Sequence, residues 1–310
     1  MGAIMSKNGK TALIAAGAGF VLCFAARLVT ILFFTDMNTG FLNHGSEILC
    51  NLLIYGSLAA AAIAAGVLLR KEPKGVKPSE KGCLVIGFVT LLAALCAGYE
   101  GITETSALTP SMFLIITDFV GAVYMAVMAF AILYKKSFTP ALGFCYSIIG
   151  VYCVFRGIYV FMNRMVIAAV PEYLAEVLEI IFLALFFAMF ARLFSGNEEK
   201  LTKPMMIMSG VGAAILTLSS SLGTIFSKLF APAEIAERIT ASTKYAEVFY
   251  QNQHGRNGYI MTFTPYVNMA LGLLAIAAVV VTLKSGKVEE PAEPKAQPEE
   301  QLETEQSDNR

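Results

Sequence analysis

The stretch VYCVFRGIYVFMNR, residues 151–164, sets an arginine in the middle of a run otherwise fit for lipid. A charge at the bilayer centre costs about 2.5–3.5 kcal/mol on insertion scales, so it is kept where protein or trapped water faces it. Arg156 therefore carries two expectations at once. The run is a membrane span, and its charged side chain turns inward to polar partners in a bundle.

The rest of the chain agrees. Of 310 residues, 56% are hydrophobic and 15% charged, and mean hydropathy is +0.65, outside the range of soluble globular chains. Net charge is zero, 23 against 23, so nothing in the overall charge points to nucleic acid as a partner. Eight runs approach the roughly 20 apolar residues that cross a hydrocarbon core. They are 12–34, 47–69, 83–99, 111–134, 141–163, 172–194, 204–226 and 262–283, the third short at 17 residues, so that seven or nine spans stay open as alternatives. The fold expected is all-α, a polytopic transmembrane helix bundle.

Lysine and arginine set the expected orientation, since they are retained beside spans on the cytoplasmic side. The connections 70–82, 135–140 and 195–204 are basic, whereas 35–46 and 100–110 contain no lysine or arginine. Both termini are thus expected in the cytoplasm and the protein in the plasma membrane. Two segments stand apart. Residues 288–310 are rich in Glu, Pro and Gln, too polar to fold, and read as a disordered cytoplasmic tail open to a partner. Within the long outer connection, residues 231–250 have helical periodicity and read as a helix on the membrane surface or capping the bundle.

The remaining motifs point away from cofactors. Cys23, Cys50, Cys83, Cys96, Cys145 and Cys153 lie in apolar runs without a CxxC pair, and His44 and His254 have no ligand-spaced neighbour. NGKT at 8–11 lacks the first glycine of a phosphate-binding loop. No cofactor or metal is expected.

The charges inside the spans carry the functional reading. Arg27, Asp118, Arg156 and Glu179 each lie seven residues from the outer end of a span, and Asn268 lies six. At 1.5 Å per residue they form one layer about 10 Å deep. Glu47, Glu100, Glu104 and Glu176 are placed nearer the outer surface. Tyr152, Arg156, Tyr159 and Asn163 share one helical face, as do Glu176 with Glu179 and Glu47 with Asn51 and Tyr55. Ser209, Ala213, Thr217 and Ser221 form a ridge of small residues suited to close helix contact.

Two readings of the layer stand side by side. In one, ion pairs such as Arg27 with Asp118 and Arg156 with Glu179 only fix helix packing. In the other, Arg27, Arg156, Asp118, Glu176, Glu179, Asn268, Tyr152, Tyr159, Glu47 and Asn51 line a cavity for a small polar or anionic solute. The arginines would then hold a carboxylate or phosphate, and an acid would carry a proton or cation.

Spacing adds a further expectation. Arg27 to Arg156 and Glu47 to Glu176 are both 129 residues apart, and Asp118 and Asn268 fall at matching depths. Residues 1–134 and 135–287 read as parallel four-span repeats, with chance alignment of a few charges as the rival. The function classes are a multi-pass transporter or solute-binding component, a non-catalytic sensor or assembly subunit, and, least favoured, an intramembrane enzyme.

Overall fold

The computed structural model describes residues 6–34, 47–70, 78–105, 111–164, 171–230 and 265–285. The expected surface helix at 231–250 and the tail 288–310 lie outside them, as do the side chains of Glu47, Asn163 and Glu176. The described chain is helical, with eight helices long and apolar enough to cross a membrane. The helices are α1 (Lys7–Val29), α2 (Glu47–Leu69), α3 (Glu80–Thr105), α4 (Met112–Lys135), α5 (Pro140–Cys145), α6 (Ser147–Arg164), α7 (Pro171–Phe194), α8 (Thr202–Phe230) and α9 (Pro265–Lys284). Short α5 and α6 together make one span.

Local chemistry explains several ends. Ser6 accepts from Gly9 N at 2.9 Å, Ser111 from Leu114 N at 3.4 Å and Thr139 from Leu142 N at 3.3 Å, with Pro140 in the first turn of α5. The fifth run is not one continuous helix, as 141–163 implied. It breaks at Tyr146, where backbone bonds shorten to a three-residue span, Tyr146 N to Gly143 O at 3.2 Å and Ile149 N to Tyr146 O at 3.1 Å. The Tyr124 hydroxyl of α4 donates to Cys145 O at 2.7 Å there.

The third span is also longer than 83–99. It runs to Thr105 because Glu100 and Glu104, which lower local hydropathy, are buried against protein. Glu104 accepts the backbone N–H of Ser111 at 3.0 Å, closing the α3–α4 hairpin.

Successive spans alternate in direction. Glu80, starting α3, pairs with Lys136, just past α4, and Gly82 of α3 meets Val281 near the end of α9. Six spans form a ring in which each packs on the next, in the order α8, α9, α3, α4, α5–α6 and α7, with α7 back on α8. The α1–α2 hairpin lies outside this ring, against α8. Burial follows: 78% of the apolar window of α8 is buried but only 22% of that of α1. The small ridge on α8 lies inward, with Ser209, Ala213, Thr217 and Ser221 all buried, and Thr217 abuts Gly272 of α9.

The two ends of the bundle differ. Near the end shared by Lys7 and Lys284, Phe138, Tyr146, Phe186, Phe187, Phe190 and Phe194 form a continuous aromatic cluster, with Phe190 and Phe194 stacked at 4.3 Å between centroids. The Tyr146 hydroxyl, fully buried, is 2.8 Å from Thr90 Oγ1. This packing closes the terminal end. Intramembrane charge is concentrated in the opposite half.

Candidate functional site

Arg156 is 2% exposed and occupies the centre of a network joining α3, α4 and α6. Its Nη1 donates to Asp118 Oδ1 at 3.1 Å and to the Tyr152 hydroxyl at 2.6 Å, and its Nη2 donates to Glu100 Oε2 at 2.7 Å. Tyr152 in turn donates to Asp118 Oδ1 at 2.9 Å. The phenol can do so because α4 carries glycine beside it. A Cβ on Gly121 would stand 2.5 Å from the Tyr152 ring. Tyr152, one turn before Arg156, thus both orients the guanidinium and shields it from the lipid side.

This pairing corrects the expected one. Asp118 belongs to Arg156 and not to Arg27, and Glu179 bonds Asn268 instead of Arg156. Glu100, expected nearer the surface, is a direct partner of the arginine. Helices α3 and α4 are antiparallel with Glu104 bonded to Ser111, so residues equidistant from that turn lie at one level. Counting back from it sets Glu100 opposite Ile115, within one helical turn of Asp118, a signal legible in the sequence once the hairpin is recognised.

From this network polar contacts continue across the ring. Glu100 Oε1 accepts the backbone N–H of Val267 at 3.3 Å, in the first turn of α9 where that donor has no helical acceptor. The next residue, Asn268, donates from Nδ2 to Glu179 Oε2 on α7 at 3.0 Å. Glu179 is 2% exposed and lies within electrostatic reach of the Cys23 thiol on α1. That thiol is 3.5 Å from Ser219 Oγ on α8 and neighbours Ser57 on α2.

Arg27 follows Cys23 by one turn and lies within electrostatic reach of the same thiol. It is 7% exposed, and its Nε is buried without a hydrogen-bond partner. Among the described residues no carboxylate pairs with it. Close approach of Gly19 to Ala61, and of Cys23 to Ser57, sets the antiparallel register of α1 on α2. That register brings Asn51 to within about one turn of Arg27's level. Asn51 Oδ1 is likewise buried and unpartnered. Directly beyond Arg27 the backbone opens into a π-helical turn, Thr30–Phe34, a distortion that recurs where helices build sites.

The ten residues singled out from the sequence are therefore divided. Arg156, Asp118 and Tyr152 form one hydrogen-bonded network, and Glu179 with Asn268 forms a bridge. Arg27 and Asn51 lie at the α1–α2 seam. Tyr159 is half-buried and stacks on Phe113 at 6.4 Å. The side chains of Glu47 and Glu176 lie outside the described set. A cavity of about 350 Å³ opens between α4 and α6. Its walls include Phe113, Val120 and Phe155, its floor Gly121 and Tyr152, and its character is apolar, so it is a lipid-facing crevice distinct from the charged layer.

The chain is thus a polytopic helical membrane protein with a buried charged layer. Compared with protein-family models, with curated proteins and with solved structures, it matches none.

Proposed function

We propose that the protein is a multi-pass transporter, or a solute-binding component of one, that takes a small anionic molecule at Arg27. The observation that carries this reading is a buried guanidinium bonded to no carboxylate among the described residues, with the buried, unpartnered amide oxygen of Asn51 within about one helical turn of its level. Burying an uncompensated charge is costly, and a carboxylate or phosphate offers the planar, charged acceptor that satisfies it. Asn51 supplies a second polar contact, and the serines near Cys23 line the same seam.

The basic connections 70–82, 135–140 and 195–204 support cytoplasmic termini and a plasma-membrane location, with Arg27 in the outer half. The equal spacing of the two arginines supports a duplication of residues 1–134 and 135–287, in which one copy serves packing and the other the solute. The alternative, a sensor or assembly subunit whose charges only fix packing, is favoured by the Arg156 network taken alone.

The test is thermal denaturation of the full chain in lipid nanodiscs with acetate, lactate, inorganic phosphate or sulfate. A ligand at a hundredfold excess over its Kd stabilises by about 2.7 kcal/mol. One of these anions should raise the Tm of wild type and of the surface control Arg192→Gln, but not of Arg27→Gln. No response in wild type, or an equal one in Arg27→Gln, would sink the reading.

A further inference from the structure

We propose that the network around Arg156 is a proton-binding site within the bundle, at which Glu100 and Asp118 hold one proton between them. The inference is independent of the anion reading at Arg27. It begins from the distribution of charge. A single guanidinium serves two carboxylates, through Nη1 to Asp118 at 3.1 Å and through Nη2 to Glu100 at 2.7 Å. All three side chains are buried, Asp118 at 0% exposure.

Hydrogen bonding separates the two oxygens of Asp118. Oδ1 accepts from both Tyr152 and Arg156, while Oδ2 is buried without a donor. An ionised carboxylate in low dielectric needs donors on its oxygens, and two carboxylates sharing one cation titrate as a pair, not singly. Oδ2 is the oxygen left open for proton exchange. Binding converts a carboxylate and a proton drawn from water into a neutral carboxylic acid. The cluster then balances Arg156 with one remaining carboxylate.

The groups that face the pair come from each packed element. From α6 these are Arg156, Tyr152 and, within reach of Arg156, Cys153. Helix α3 contributes Glu100 and, within its reach, Cys96, and α9 contributes the Val267 N–H. Short α5 offers only the Cys145 carbonyl, taken by Tyr124, and no charged side chain. Among the described residues Arg156 is the cation bonded to the pair, and Tyr152 is already committed as a donor to Oδ1.

The experiment is infrared spectroscopy of the full chain in nanodiscs at neutral pH, in H₂O and D₂O. Wild type should show a carbonyl stretch of a protonated carboxylic acid that moves in D₂O. That component should vanish in Asp118→Asn and in Glu100→Gln alike, because each leaves one carboxylate matched to Arg156. If only one variant folds, loss of the component in that variant supports the proposal. Its absence in wild type, its persistence in either folded variant, or its removal by Na⁺ at fixed pH overturns it.

Discussion

Arg156 and Arg27 both lie in the half of the bundle away from Lys7 and Lys284, and both are buried, yet their surroundings differ. Arg156 sits among the ring helices, bonded to two carboxylates and a phenol. Arg27 lies at the seam of the outlying α1–α2 hairpin with α8, bonded to no carboxylate among the described residues. The same residue type is thus paired with carboxylates at one place and, among the described residues, with none at the other. The difference arises from the neighbours that the fold supplies.

Substitution at the two arginines should break this comparison most sharply. Arg156→Ala leaves the buried side chains of Asp118 and Glu100 without their cation, and removing one partner of a buried pair costs about 3–5 kcal/mol. The expected result is low yield and a much lower melting temperature in detergent. Arg27→Met removes a charge with no bonded carboxylate among the described residues, so its stability should stay within about 1 kcal/mol of wild type or rise. Equal losses in the two variants would mean that the arginines play one role.

A smaller effect is expected from Gly121→Ala. The added methyl meets the Tyr152 ring, and overpacking of this kind costs about 1–3 kcal/mol. Because the ring carries the hydroxyl that bonds Asp118, the variant should also weaken the Arg156 network while leaving any anion response at Arg27 intact. Thermal melts with and without the responding anion separate the two effects.

The smallest change belongs to Glu80→Gln, which removes the pair with Lys136. Both side chains are more than half exposed, at 62% and 55%, and such surface pairs contribute about 0–1 kcal/mol. The melting temperature should barely move. A large loss would show that the α3–α4 hairpin depends on its solvent-side charges and not on the buried layer.

Much of the architecture was legible before any coordinates. Apolar runs located all eight spans, and the cost of charge in lipid marked Arg27, Asp118, Arg156 and Glu179 as inward-facing, which their burial bears out. Hydropathy misjudged the end of α3, because it counts Glu100 and Glu104 as if they faced lipid. It also missed the break at Tyr146, since no proline or glycine pair marks it and the Tyr124 hydroxyl that takes the Cys145 carbonyl comes from another helix.

The sequence by itself determined which segments enter the membrane, because transfer of a 20-residue run into lipid is a sum over its own residues. It also determined which side chains cannot face that lipid. Only the tertiary structure decided how those side chains pair. A charge contact depends on which helices adjoin and at what register, and small-residue ridges such as that of α8 set this, not the charges themselves. That is why Arg156 is matched by Asp118 and Glu100 while Arg27, on a hairpin outside the ring, meets no carboxylate among the described residues.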